Sequence, residues 1–233
     1  MAAANTNTST GDGLFDELIA VNEQRVNTYS MLARLYAREV DQAYLDKLRA
    51  ARWPVATGNE DADEGYRLLA SYLSNTWECS VHELEQEYVR CFMGKGKNSY
   101  SCAYPYESVN RSPKRLLRQD YRDEVLAVYR SEGLDKSSTW KEEEDHISVE
   151  LEFMQIMAMR STKAMKEGNE VRALKLFATQ RSFMNEHLIT WTPTFTTDLR
   201  KFATSKFYLA LASITDGFLK VDKDFLDGLV PRA

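Results

Sequence analysis

Apolar residues recur along most of the chain at intervals of three and four, the spacing that keeps them on one face of an α-helix. Leu14, Leu18, Val21, Val26, Tyr29, Leu32, Leu35 and Tyr36 mark a long first helix. Asp41 is placed to cap a short second one through Leu45 and Leu48. Trp53-Pro54 and Gly58-Asn59 interrupt the pattern, and Gly65 to Trp77 resumes it with Tyr66, Leu69, Tyr72 and Leu73. Ser80 followed by Glu83 reads as a capping box that opens a helix through Leu84, Tyr88 and Phe92, with Gly94 and Gly96 at its end. Residues 95–110 carry no apolar period, yet hold Tyr100, Tyr104, Pro105 and Tyr106. Ser112-Pro113 predicts the next helix start, with Leu116, Leu117, Tyr121, Val125, Val128 and Tyr129 as its stripe. Residues 134–138 form a hinge-like connector.

The chain is organised around the stretch that follows. Thr139 and Glu142 have capping-box spacing, and Glu142, Glu143, Glu144 and Asp145 then lie where a helix dipole favours anions. Ile147, Leu151, Met154 and Ala158 continue as a core-facing stripe, and Gly168 marks the stop. His146 and Glu150 are four apart and share a face. Further helices are predicted over 170–188, with Val171, Leu174, Phe177 and Phe183 inward, and from Thr192-Pro193 through Phe195, Leu199 and Phe202. Two last segments run from Ser205 to Ile214 and from Asp222 to Leu229. No stretch alternates with a period of two. The expectation is an all-α protein of roughly nine or ten helices, one globular domain over 13–233 behind a polar, disordered tail at 1–12.

Composition narrows the function. The 233 residues are 43% hydrophobic and carry a net charge of −5. No Lys/Arg-rich block points to nucleic acid, and a mildly acidic surface suits a basic partner. Cys79, Cys91 and Cys102 are odd in number without a close pair, which fits a reducing compartment better than a disulfide framework or a zinc site. The N-terminus lacks the basic and apolar regions of a secretory signal, and no apolar run approaches the roughly 20 residues needed to span a bilayer. These features predict a cytoplasmic, soluble protein without membrane insertion.

Catalytic motifs are sparse. Glu143-x-x-His146 has the spacing used in di-iron bundles, but those need a second such pair, and neither His82 nor His187 supplies one. No metal ligand set is therefore expected. There is no phosphate-binding loop, dinucleotide fingerprint or nucleophile elbow. Gly94-Lys-Gly-Lys follows a helix rather than opening one, and the cysteines have no His partner in sequence. What remains is aromatic and acidic. Tyr88, Phe92, Tyr100, Tyr104 and Tyr106 read either as rings tucked into the core or as a groove for an apolar peptide. Asp145 and His146 are assigned to recognition, against the alternative that they only cap a helix.

Three ordered stretches resemble one family. Glu87-Tyr-Val-Arg-Cys-Phe-Met-Gly with Tyr104-Pro-Tyr-Glu-Ser-Val, then Glu142-Glu-Glu-Asp-His146 with Glu150-Leu, then His187-Leu-x-x-Trp191-x-x-x-Phe195 with Phe207-Tyr, are similar to the TorD-like redox-enzyme maturation chaperones. Glu143 stands where the family has Pro, and Cys91 where it prefers Leu. The resemblance implies an all-helical fold, no catalysis, no cofactor, and binding of a molybdenum-cofactor reductase through the apolar twin-arginine leader of its catalytic subunit. Its implied peptide-binding residues are Tyr36, Tyr88, Cys91, Phe92, Tyr106, Glu107, Asp145 and His146. Domain exchange through 134–138 would give a homodimer. Two other readings stay open: an all-α metal- or ligand-binding enzyme using His146 and the acidic cluster, and a nitrate-reductase-type assembly chaperone that binds a segment of the mature subunit.

Overall fold

The computed structural model describes residues 9–94, 102–118, 120–137 and 139–229. Residues 1–8 of the expected tail, the Gly-Lys string beyond Gly94, Tyr100 and Ser138 lie outside the described residues, as does the side chain of Leu14. Within them the chain forms ten α-helices: α1 (Ser9–Ala37), α2 (Gln42–Ala50), α3 (Glu60–Leu73), α4 (Ser80–Phe92), α5 (Glu107–Arg111), α6 (Asp120–Ser131), α7 (Ile147–Lys166), α8 (Glu170–Phe183), α9 (Ile189–Phe202) and α10 (Lys206–Leu229). A single wide turn of π-helix, Met184–Leu188, joins α8 to α9. No strand occurs among the described residues, and the fold is all-α as the periodicity predicts. α1 begins at Ser9, inside the segment read as a tail.

α7 is the central rod, with α1 and α8 packed along it. Leu151, Met154 and Ala158 are buried, as their spacing requires. α10 lies across α3, α9 and α8. The α3–α10 crossing brings two backbones together: a Cβ on Gly217 would lie 2.3 Å from the Ala62 nitrogen, and one on Gly65 would lie 2.7 Å from the Ile214 nitrogen. No larger residue fits there without moving a helix. A buried polar tie crosses the same bundle. Arg25 of α1 pairs with Asp222 of α10 and donates to Gln180 of α8 at 2.8 Å. Asn22 donates to the Ala158 carbonyl of α7 at 2.7 Å.

Several element boundaries differ from the sequence expectation, each for a local reason. Asn59 caps α3, its side chain accepting from Ala62 N–H, so that helix starts before Gly65. The Ser80–Glu83 capping box does not form. The Ser80 hydroxyl accepts from Trp77 N–H and the Glu83 carboxylate from the Trp77 indole, so both are spent on the preceding turn. Ser112-Pro113 opens no helix: residues 112–118 turn through positive φ at Arg115 and Arg118, α6 starts only at Asp120, and Leu116 and Leu117 are exposed. Val171 and Leu174 also face solvent, while Ala173, Leu176, Phe177, Gln180 and Phe183 turn inward. Thr192-Pro193 starts nothing either. Pro193 sits inside α9, a few residues beyond the π turn, and the two final segments are one helix, α10.

Candidate functional site

The largest departure concerns the acidic head of α7. The helix starts at Ile147, and residues 139–145 approach it as turns. The Thr139–Glu142 capping box is therefore absent. An interaction distant in sequence holds this segment away from helical geometry. Tyr106 and His146 form an antiparallel bridge, with Glu107 N–H donating to the Asp145 carbonyl at 3.0 Å and Ile147 N–H to the Pro105 carbonyl at 2.9 Å. The aromatic loop and the Asp-His motif are thus stitched together, backbone to backbone.

This pairing puts Asp145 and His146 at two helix starts at once. Asp145 is fully buried, and one carboxylate oxygen accepts from Ser108 N–H at 2.8 Å, which caps the short helix α5 from a different part of the chain. Burial raises its pKa, and the Ser108 hydrogen bonds oppose that. His146 caps α7: its Nδ1 accepts from Ser148 N–H at 3.1 Å and lies 2.7 Å from the Ser148 hydroxyl. Burial pulls the imidazole pKa down to about 3, so the ring is neutral at physiological pH. It stands edge-on between Tyr106, 5.1 Å away, and Trp140, 5.7 Å away.

The other residues that the resemblance implicates are brought near this motif, mostly inside the protein. Tyr36, Tyr88, Cys91 and Phe92 are all buried. Phe92 packs edge-to-face on Tyr36, Tyr88 and Tyr208. Tyr88 donates to the Tyr36 carbonyl at 2.8 Å, and the Tyr36 hydroxyl is 2.8 Å from that of Thr215. Burial pushes the Cys91 thiol up to about 12, which removes its thiolate character at neutral pH. Glu107 is fully buried, accepts from Arg111 at 2.6 Å and faces His187 Nδ1 at 3.0 Å. Tyr106 alone of the eight is half-exposed, and its hydroxyl donates to the Glu142 carboxylate.

Three features of the site lie beyond sequence reasoning. Glu143 and Glu144 are already neutralised by the chain's own cations: Arg118 lies 2.8 Å from Glu143, and Arg122 and Lys136 lie 2.6 Å and 3.1 Å from Glu144. Trp140, half-buried beside the motif, forms its outer wall. Beneath it Glu150 is fully buried, accepting from the Trp191 indole at 3.1 Å. Burial, with Glu107 and Asp145 close by, holds Glu150 well above the usual carboxylate range. The four-residue spacing of His146 and Glu150 hinted at their shared face; nothing local announced Trp191 as the neighbour of Glu150 or His187 as that of Glu107.

The arrangement ties the aromatic loop to the start of α7, with Tyr106, Trp140 and Glu142 on its outer side. Residues 59–197 match the family model described as nitrate reductase delta subunit. A protein of Aliivibrio salmonicida named chaperone protein TorD is 30% identical over 225 residues, covering 91% of this chain and 99% of its own. The chain belongs to the TorD chaperone family. TorD proteins of Vibrio atlanticus and Vibrio parahaemolyticus are 29% and 26% identical, covering 97% and 99% of their own lengths. These relatives are named as chaperones, a non-enzymatic role.

Proposed function

We propose that the protein is a cytoplasmic chaperone for a molybdenum-cofactor reductase of the DMSO- or TMAO-reductase type. It binds the twin-arginine leader of the catalytic subunit and holds it until the cofactor is inserted, before export. The observation that carries this reading is the bridge between Tyr106 and His146. It sets a half-exposed tyrosine, an exposed glutamate (Glu142) and an indole (Trp140) side by side on one rigid surface. An aromatic surface suits the apolar run of a leader, and an exposed carboxylate suits its arginines. Tyr106 meets the ligand, Asp145, His146 and Glu107 fix the loop that presents it, and Tyr36, Tyr88, Cys91 and Phe92 form the packed floor. No helix among the described residues is long and apolar enough to cross a membrane.

Co-expression with a molybdenum-cofactor reductase of the same genome, with and without its leader, tests this. The leader-bearing form should co-purify with the tagged chaperone and the leaderless form should not. Equal recovery of both would favour binding to the mature subunit, the reading that the nitrate reductase delta match supports. Recovery of neither would overturn the proposal.

A further inference from the structure

A trench runs along the outer face of α7, next to the Asp-His motif. It consists of two hollows of about 410 and 340 Å³ that share Trp140, Val149 and Glu152. Leu134 and Ile156 line one, and Ala33 and Ala37 of α1 line the other. The combined volume is within the range of small-ligand clefts. From Ser148 to Ile156, α7 rises about 12 Å, room for roughly two turns of a helical peptide. Trp140 divides the hollows. Its indole Nε1 is buried without a hydrogen-bond acceptor, while its ring abuts His146. An orphaned indole donor in a cleft wall suits an incoming carbonyl.

The charges around the trench are unevenly committed. Glu143 and Glu144 are held by Arg118, Arg122 and Lys136, and Asp135 lies 3.9 Å from Arg130. Arg34, the cation of the second hollow, is engaged with Asp41 and with the carbonyls of Arg38 and Glu39. Glu152, exposed and common to both hollows, has no hydrogen bond or ion pair among the described residues. The Glu142 carboxylate accepts from the Tyr106 hydroxyl and has no ion pair among the described residues; Lys136, which pairs with Glu144, donates to the Glu142 carbonyl at 2.7 Å. The uncommitted charge is therefore negative, beside a first hollow whose apolar side is made by Tyr129, Leu134, Val149, Phe153 and Ile156, while Ser30, Ser148 and Gln155 make the second more polar.

We propose that this trench seats the apolar run of a leader, and that Glu142 and Glu152 take its paired arginines. The inference rests on the leader-binding reading above and specifies where that ligand lies. The test uses the full chain and a fluorescein-labelled synthetic peptide with two adjacent arginines ahead of a leucine- and alanine-rich run. A companion peptide carries two glutamates in place of the arginines. Glu152→Lys changes an exposed residue, and thermal melts confirm that it folds. The wild type should bind the arginine peptide and reject the glutamate one. Glu152→Lys should weaken the first about tenfold or more and gain the second, because opposite charges meet across the trench. If the wild type binds but Glu152→Lys leaves both affinities unchanged, the trench is overturned and leader binding survives elsewhere on the surface. If the wild type binds neither peptide, the leader reading itself fails and takes the trench with it. Should Glu152→Lys instead alter sedimentation while leaving affinity intact, the trench is a face for a second copy of this chain, and the proposal is overturned.

Discussion

Acidification should loosen this protein through His146. In the folded chain the ring is buried, its Nδ1 is occupied by Ser148 N–H, and burial holds its pKa at about 3. In the unfolded chain a histidine titrates near about 6.5. As pH falls the unfolded chain therefore takes up the proton first. The native state keeps its full advantage above about 6.5 and loses it progressively down to about 3. At about pH 5 the loss is about 2 kcal/mol, and it saturates at about 5 kcal/mol near pH 3. Glu150 works in the opposite sense. Its folded pKa is raised, so its contribution is present at low pH and lost as pH rises through the folded value. The wild-type profile mixes both, and a comparison with His146→Asn isolates the histidine, since Asn also serves as an N-cap. Urea unfolding at about pH 7.5 and about pH 5 should show the wild type losing about 2 kcal/mol more than the variant between the two conditions. Equal losses in both proteins would refute the buried, neutral cap, whatever the variant's absolute stability.

Asp145→Asn should weaken the cap of α5, because an amide oxygen replaces a carboxylate at Ser108 N–H; a loss of about 1 kcal/mol is expected in urea melts, with peptide affinity falling as the Tyr106 loop loosens. Arg25→Met should cost about 3–5 kcal/mol by leaving Asp222 buried and unpaired, and Arg25→Met with Asp222→Leu should recover much of it. Phe92→Ala should cost about 3–5 kcal/mol of stability, since its ring is enclosed by Tyr36, Tyr88 and Tyr208. Tyr106→Ala, at the surface, should instead reduce leader-peptide affinity by about 1–3 kcal/mol with a near-native melt. A Phe92→Ala melt that matches the wild type would place that ring in an open groove and not in the core.

The sequence by itself determined the class of fold and most of its rods. Helical periodicity is local, so Leu151, Met154 and Ala158 reveal an inward face of α7 without knowledge of any partner. Asp41 caps α2 as its position suggests, because a cap also involves only neighbouring residues. The motif order, from Tyr88 through Tyr106 to Asp145-His146 and Trp191, was likewise legible as a family resemblance. Tertiary structure decided what those residues do. The acidic run before Ile147 has every local reason to be a helix start, yet pairing of residues 105–107 with 145–147 keeps it in turns outside the helix, and Arg118, Arg122 and Lys136 take up its charge. The aromatic residues could have lined a groove or filled the core. Phe195 and Tyr208, contributed by helices about a hundred residues further along the chain, close around Phe92 and bury that ring, while Tyr104 and Tyr106 stay half-exposed. Whether a side chain is buried depends on what packs over it, and a backbone pairing between distant segments leaves no period in either one. A local pattern therefore named the Asp-His motif, and long-range contacts turned it from an exposed head into a buried support with Tyr106, Glu142 and Trp140 left at the surface.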